Sequence, residues 1–236
     1  MLSYTRNLLL NLANSRFVAF LDADDVWLPN HLQELSNLIK EYHDRVTVFS
    51  TAFYRQRDSH KASHDLGDNA NFFGILDYFK AMTQSSWYIN SSVVCLDKDS
   101  IVNTNFFGDF NIKTNEDLIV WAKLTGNKGI AFSAEKTGIN YIDASFAALL
   151  ADFDTISLVY VNIIKMATHW SNKKYVSRYV DLFALKNICT VRLNSSSYDY
   201  SKLLINKFWK RNLKVNLFAL CMLFVPRYII KKKMII

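Results

Sequence analysis

Three carboxylates, Asp22, Asp24 and Asp25, crowd into four positions of the segment FVAFLDADDVW, residues 17–27, directly behind five apolar or small residues. Carboxylates this close repel one another, and each would rise in pKa unless a cation held them. Hard oxygen donors of this kind suit a divalent ion, and Mg²⁺ typically takes only one or two protein carboxylates, filling its shell with water and substrate phosphates. The economical chemistry is a cation bound together with a phosphorylated substrate; an ordinary solvated acidic turn is the bland alternative. A second acidic pair, Glu116 and Asp117, stands in TNEDLIVWAKL. There the bland reading is favourable charge in a first helical turn, with Thr114 or Asn115 as cap.

Elements of alternating type must position these groups. FVAFL, residues 17–21, reads as a short buried strand that feeds the acidic turn. Open α/β sheets bind ligands beyond the carboxyl ends of their strands, which is where this turn falls. Residues 3–13 read as a helix, and Leu32, Leu35, Leu38, Ile39 and Tyr42 mark another over 30–43. A strand is expected over 46–54, a polar surface loop over 58–71, a helix near 72–82 and a strand near 91–97. A helix near 115–125 and a strand over 130–142 follow. The alternation predicts an α/β fold with a mainly parallel sheet, and from about 145 onward the pattern is helical.

Charge divides the chain in the same place. The total is +7, yet residues 1–149 hold 13 Lys or Arg against 17 Asp or Glu, net −4, and residues 150–236 hold 15 against 4, net +11. The basic part could face nucleic acid or an anionic membrane. Leu217 to Val225 form nine consecutive apolar residues, preceded by Lys207, Lys210, Arg211 and Lys214 and followed by Arg227 and Lys231 to Lys233. A membrane span needs about 20 apolar residues, so the segment reads as an interfacial helix, and each basic residue near an anionic leaflet adds about 1 kcal/mol. Nucleic acid is excluded, because apolar residues outnumber base-reading ones along this stretch. Cys95, Cys189 and Cys221 lack metal or disulfide spacing, which fits a reducing, cytoplasmic setting. Arg6 followed by LLLNL is too short and interrupted for a signal peptide. His169 reads as a helix histidine rather than a metal ligand, and Trp27 and Trp121 as core.

TRNLLLNLANSRFVAFLDADDVWLPNHL, residues 5–32, resembles the central part of family 2 glycosyltransferases of the GT-A fold. In that family an ARN helix, an apolar strand, a D-x-D-D turn, a large residue and a proline follow in order. Here these are Arg6 with Asn7, FVAFL, Asp22 to Asp25, Trp27 and Pro29. The family's second landmark, an acidic pair opening a helix ahead of a tryptophan, is matched by Glu116, Asp117 and Trp121. The resemblance implies an inverting transfer of a sugar, hexosyltransferase in type, from a nucleotide diphosphate donor such as a UDP-sugar to a saccharide or lipid-linked acceptor. Asp24 is then the leading ligand of Mg²⁺ or Mn²⁺, with Asp22 nearer the nucleotide sugar and Asp25 supporting. Arg6 approaches the nucleotide, its planar fork suiting a phosphate or base edge. Asp117, beside Glu116, is the catalytic base, worth roughly 10²- to 10⁴-fold. Trp87 and Tyr88 could line the acceptor site.

The family pattern begins with a βαβ segment that does not precede Arg6 here, so the resemblance implies an N-terminally truncated or split GT-A unit over 1–144, its sheet incomplete, followed by a basic helical region over 145–236. Bacterial relatives with such tails implicate cell-surface polysaccharide synthesis at the inner face of the cell membrane. An inactive transferase-like module that binds a membrane or partner is the alternative. A haloacid dehalogenase-type phosphatase shares a strand-DxDx turn, but GDNANF at 67–72 fails its later acidic motif.

Overall fold

The computed structural model describes residues 2–57, 60–63, 71–84, 88–101, 116–126, 128–141, 153–207 and 212–234. Helix α1 (Leu2–Leu12) leads into β1 (Phe17–Ala19), the acidic turn, the two-residue strand β2 (Val26–Trp27) and α2 (His31–Tyr42). Strands β3 (Val48–Arg57) and β4 (His60–Ser63) form a hairpin. Then come β5 (Phe73–Leu76), α3 (Tyr78–Met82), β6 (Val94–Asp97), α4 (Glu116–Thr125) and β7 (Ile130–Tyr141). The remainder is helical: α5 (Phe153–Met166), α6 (Lys173–Asn194), α7 (Ser197–Lys207), α8 (Leu213–Phe224) and α9 (Arg227–Met234).

The sheet runs in the order β1-β6-β3-β7-β2, with β4 on β3 and β5 on β7. It is mixed, which corrects the mainly parallel expectation: β3 and β7 pair in parallel, whereas β1–β6, β3–β6, β2–β7, β3–β4 and β5–β7 are antiparallel. Alternating apolar patterns reveal that strands exist and not which way they run. The helix expected over 72–82 divides into β5 and α3, because FFGIL is an apolar run too short to separate helix from strand by periodicity. At the turn into β7, Gly129 has φ +77, and a Cβ there would lie 2.2 Å from the Leu76 carbonyl oxygen.

Alternation along the strands sorts side chains onto two faces. Phe49 pairs with Cys95 and Ala131 across the sheet, and this row meets Leu35 and Leu38 of α2. Burial pushes the Cys95 thiol up to about 12. Val48, Val94, Leu96, Ile130 and Phe132 belong to the opposite cluster, with Trp121, Ile156, Val159, Val180 and Ala219 of the helices. One core therefore continues from the sheet into α8; the expected boundary at 144/145 lies outside the described residues.

The start of β1 is pinned. Arg16 donates to both oxygens of the buried Asp97 carboxylate, at 3.0 Å and 2.8 Å. The guanidinium holds that carboxyl below its usual range. The Lys98 ammonium also donates to the Ala13 carbonyl. These contacts fix where the chain emerges toward the acidic turn.

Candidate active site

Strands β1, β3 and β7 run in the same sense, so their carboxyl ends share one edge of the sheet, and the residues entering β6 arrive there too. Residues 20–25 connect β1, at one end of the strand order, to β2 at the other. The Phe20 amide still donates to the Val94 carbonyl at 3.1 Å, and the Asp25 amide closes the turn on the Asp22 carbonyl at 3.1 Å. Val26 then stands opposite Ile139, and Trp27 opposite Gly138.

Within this turn the three aspartates have three environments. Asp25 is buried and its carboxylate is held from several sides. The Asn140 amide donates to both of its oxygens, at 3.0 Å and 3.1 Å, the Tyr141 backbone N–H donates at 3.0 Å, and the Ser92 hydroxyl donates at 2.5 Å. Charge-assisted bonds of this kind are the strong ones, so Asp25 anchors the turn to β7 and to the residues before β6. Asp22 is half-exposed and receives the guanidinium of Arg6, at 3.2 Å and 3.5 Å to its two oxygens; the arginine side chain is itself nearly buried. Asp24 points into solvent and makes no hydrogen bond or ion pair with the described residues.

Ser92 joins the pieces. Its hydroxyl accepts the Asp22 amide at 3.1 Å while donating to Asp25, and its carbonyl accepts the Trp27 indole N–H at 2.5 Å. Trp27 lies against the His31 ring, 4.5 Å between centroids. The His31 Nδ1 shares a 2.7 Å hydrogen bond with Thr137, and Thr137 shares another of 2.7 Å with Thr51. Burial holds the His31 imidazole down to about 4, so the ring is neutral at ordinary pH. The turn is thus tied through Trp27 and His31 to the interior of β3 and β7.

Asp117 sits in the first turn of α4, half-buried, and its carboxylate accepts the Leu118 amide at 3.0 Å. Its charge reaches the buried phenols of Tyr78 and Tyr179, both raised above their usual range, by burial first and by Asp117 in addition. Glu116 opens α4, with its side chain outside the described residues, as is Trp87. Tyr88, expected at an acceptor surface, is 0% exposed and meets Phe132 edge-on at 5.0 Å, so its ring is part of the core. Sequence reasoning missed Ser92, Asn140 and Tyr141, which are neither acids nor bases and reach Asp25 from 67 to 116 residues away.

Residues 1–99 match the family model of glycosyl transferase family 2. That span covers Arg6, the acidic turn and Ser92, and stops before Asp117 and Asn140. No curated protein matches the chain by sequence. Among solved structures 33 chains match. One is S. aureus TarS 1–349, similar with a TM-score of 0.51 at 13% identity, over 91% of this chain and 68% of that one. At that identity the likeness concerns the fold, and it extends through the helical region. A sheet edge that collects an acidic turn, with an arginine clamp on its first aspartate, goes together with a sequence similar across residues 1–99 to glycosyl transferase family 2.

Proposed function

We propose that the chain is an inverting glycosyltransferase of the hexosyl type, which moves a sugar from a UDP-sugar to a saccharide or lipid-linked acceptor in bacterial surface polysaccharide synthesis. One observation carries the reading: the donors around Asp25 immobilise the turn, leaving the neighbouring Asp24 carboxylate exposed and without a partner among the described residues. An anchored turn that presents an unneutralised carboxylate is suited to a cation that arrives with its substrate.

Among the described residues no three His, Cys, Asp or Glu converge as an all-protein metal cage would need. One or two carboxylates fit Mg²⁺ or Mn²⁺, and Asp24 with Asp22 would hold it. Such an ion, when bound, neutralises charge on a leaving diphosphate. Asp25 positions the turn instead of ligating, because its lone pairs are already occupied by protein donors. Arg6 keeps Asp22 in place, and its planar guanidinium is of the type that suits a phosphate or base edge. Asp117 accepts the proton of the acceptor hydroxyl as that oxygen bonds to the anomeric carbon; the bond to the diphosphate breaks with its electron pair, and the anomeric centre inverts. The basic C-terminal helices bring the enzyme to an anionic membrane surface at the cytoplasmic face, where a lipid-linked acceptor would be found.

The test is release of UDP from a panel of UDP-sugars, with and without EDTA, for the parent, Asp24→Asn and Asp117→Asn. Turnover that needs the divalent ion and both carboxylates supports the reading. Turnover unaffected by either substitution would remove it.

A further inference from the structure

Surface helices normally turn polar side chains to water, whereas α8 turns apolar ones outward as well as inward. Its buried residues are Val215, Asn216 and Ala219, set against α6 and α7. The Tyr200 hydroxyl of α7 donates to the Ala219 carbonyl at 2.8 Å, which fixes that face inward. The opposite face carries the exposed Leu213, Leu217, Cys221 and Phe224, spaced so that all fall within one stripe of a 3.6-residue helix, with Leu220 of the same stripe half-buried against the core. Leu213 is 68% exposed, Leu217 50% and Phe224 84%. Beyond Pro226, α9 adds Tyr228 at 73% and places Arg227 and Lys231 in solvent.

An exposed apolar stripe of this kind marks a docking face, and charge selects what docks. No Asp or Glu follows Asp199 in the sequence, and residues 150–236 carry 15 Lys or Arg against 4 acids. Lys214 is already committed, its ammonium donating to Asp181 at 2.5 Å, whereas Arg227 and Lys231 face water. A second copy of the chain would bring like charges together on either side of the stripe; an anionic lipid surface would gather them. With 12 residues α8 is too short to span, and no helix among the described residues is long and apolar enough to cross a membrane.

We infer that α8 and α9 form a membrane-docking platform. The axis of α8 lies in the plane of an anionic bilayer, Leu213, Leu217, Phe224 and Tyr228 enter the boundary between headgroups and acyl chains, and Arg227 and Lys231 rest on the headgroups. This deepens the membrane partner of the proposed function but needs no catalysis, so vesicle binding and sugar transfer succeed or fail separately.

Sedimentation of the full chain with vesicles tests it, comparing phosphatidylcholine alone with three parts phosphatidylcholine to one of phosphatidylglycerol, at about 0.1 M and about 0.5 M salt. The parent binds the anionic vesicles, and salt weakens the binding. Leu217→Asp with Phe224→Asp lowers the partition coefficient by about tenfold or more, because two apolar side chains no longer enter the bilayer. Arg227→Gln with Lys231→Gln lowers it about fivefold per charge removed. All four positions are exposed, so the melting temperature stays at the parental value and loss of binding is not loss of fold. Binding by either double variant equal to the parent's, or no parental binding to anionic vesicles, overturns the inference. A concentration-dependent dimer abolished by Leu217→Asp and Phe224→Asp, without vesicle binding, overturns it in favour of a second copy.

Discussion

Replacing Ser92 with alanine removes one oxygen and, with it, two of the contacts that shape the acidic turn: the bond accepted from the Asp22 amide at 3.1 Å and the bond donated to Asp25 at 2.5 Å. A net hydrogen bond between neutral groups contributes about 0.5–1.5 kcal/mol, and one to a charged group about 1.5–3 kcal/mol. Ser92 is buried, so water cannot fully take over either role, and the sum is a loss of about 2–4 kcal/mol. For a chain of this size that is a fall in melting temperature of about 4–16 °C. Chemical denaturation of the parent, Ser92→Ala, Asp25→Asn and the double variant would also resolve the coupling between the two residues, expected at about 0.5–3 kcal/mol. Ser91→Ala serves as a control, since that neighbouring hydroxyl makes no hydrogen bond with the described residues; its expected effect is about 0.5 kcal/mol or less. A Ser92→Ala variant as stable as the Ser91 control, or additive effects of Ser92 and Asp25, would refute the claim that Ser92 bridges the turn.

Asp117→Asn should lower kcat by about 10²- to 10⁴-fold with a small change in KM, and remove the acidic limb of the pH–rate profile; retained kcat in steady-state assays would reject Asp117 as the base. His31 titrates near 4 in the folded chain because of burial, against about 6.5 when unfolded, so the unfolded chain binds an extra proton between those values. That contribution to stability is intact above about pH 6.5 and falls away as pH drops toward 4, by up to about 3 kcal/mol. Urea melts across this range should show a shallower pH slope for His31→Asn; identical slopes would contradict the linkage. Gly138→Ala places a Cβ 2.6 Å from Val93 Cγ1, on the residue facing Trp27, and should cost about 1–3 kcal/mol in thermal unfolding. An unchanged melting temperature would show that the turn at 91–93 yields freely.

Local pattern made part of this molecule legible. The helix over 30–43 was marked by Leu35 and Leu38, and the structure buries both, because a periodic apolar face reports its own burial. FVAFL announced a strand feeding an acidic turn, although only Phe17–Ala19 is paired. What could not be read was anything set by long-range pairing. The two-residue strand β2 is too short for a periodic signal, and it exists through its pairing with Gly138 and Ile139 of β7, more than a hundred residues away. The different fates of Asp22, Asp24 and Asp25 depend on Arg6, Ser92, Asn140 and Tyr141, which no spacing connects to them. Tyr88 looked like a surface aromatic beside Trp87, yet the turn into β6 buries it against Phe132. Strand direction was also hidden, since an antiparallel β1–β6 pair and a parallel β3–β7 pair have the same apolar signature.

Calorimetric titration of UDP into the full chain, with and without Mn²⁺, addresses the acidic turn most directly when Asp24→Asn is run beside the parent. Because Asp24 is exposed, the variant should unfold at the parental temperature while losing the Mn²⁺-dependent heat of UDP binding. UDP binding that ignores Mn²⁺, or that survives unchanged in Asp24→Asn, would mean that this carboxylate is only a solvated surface charge.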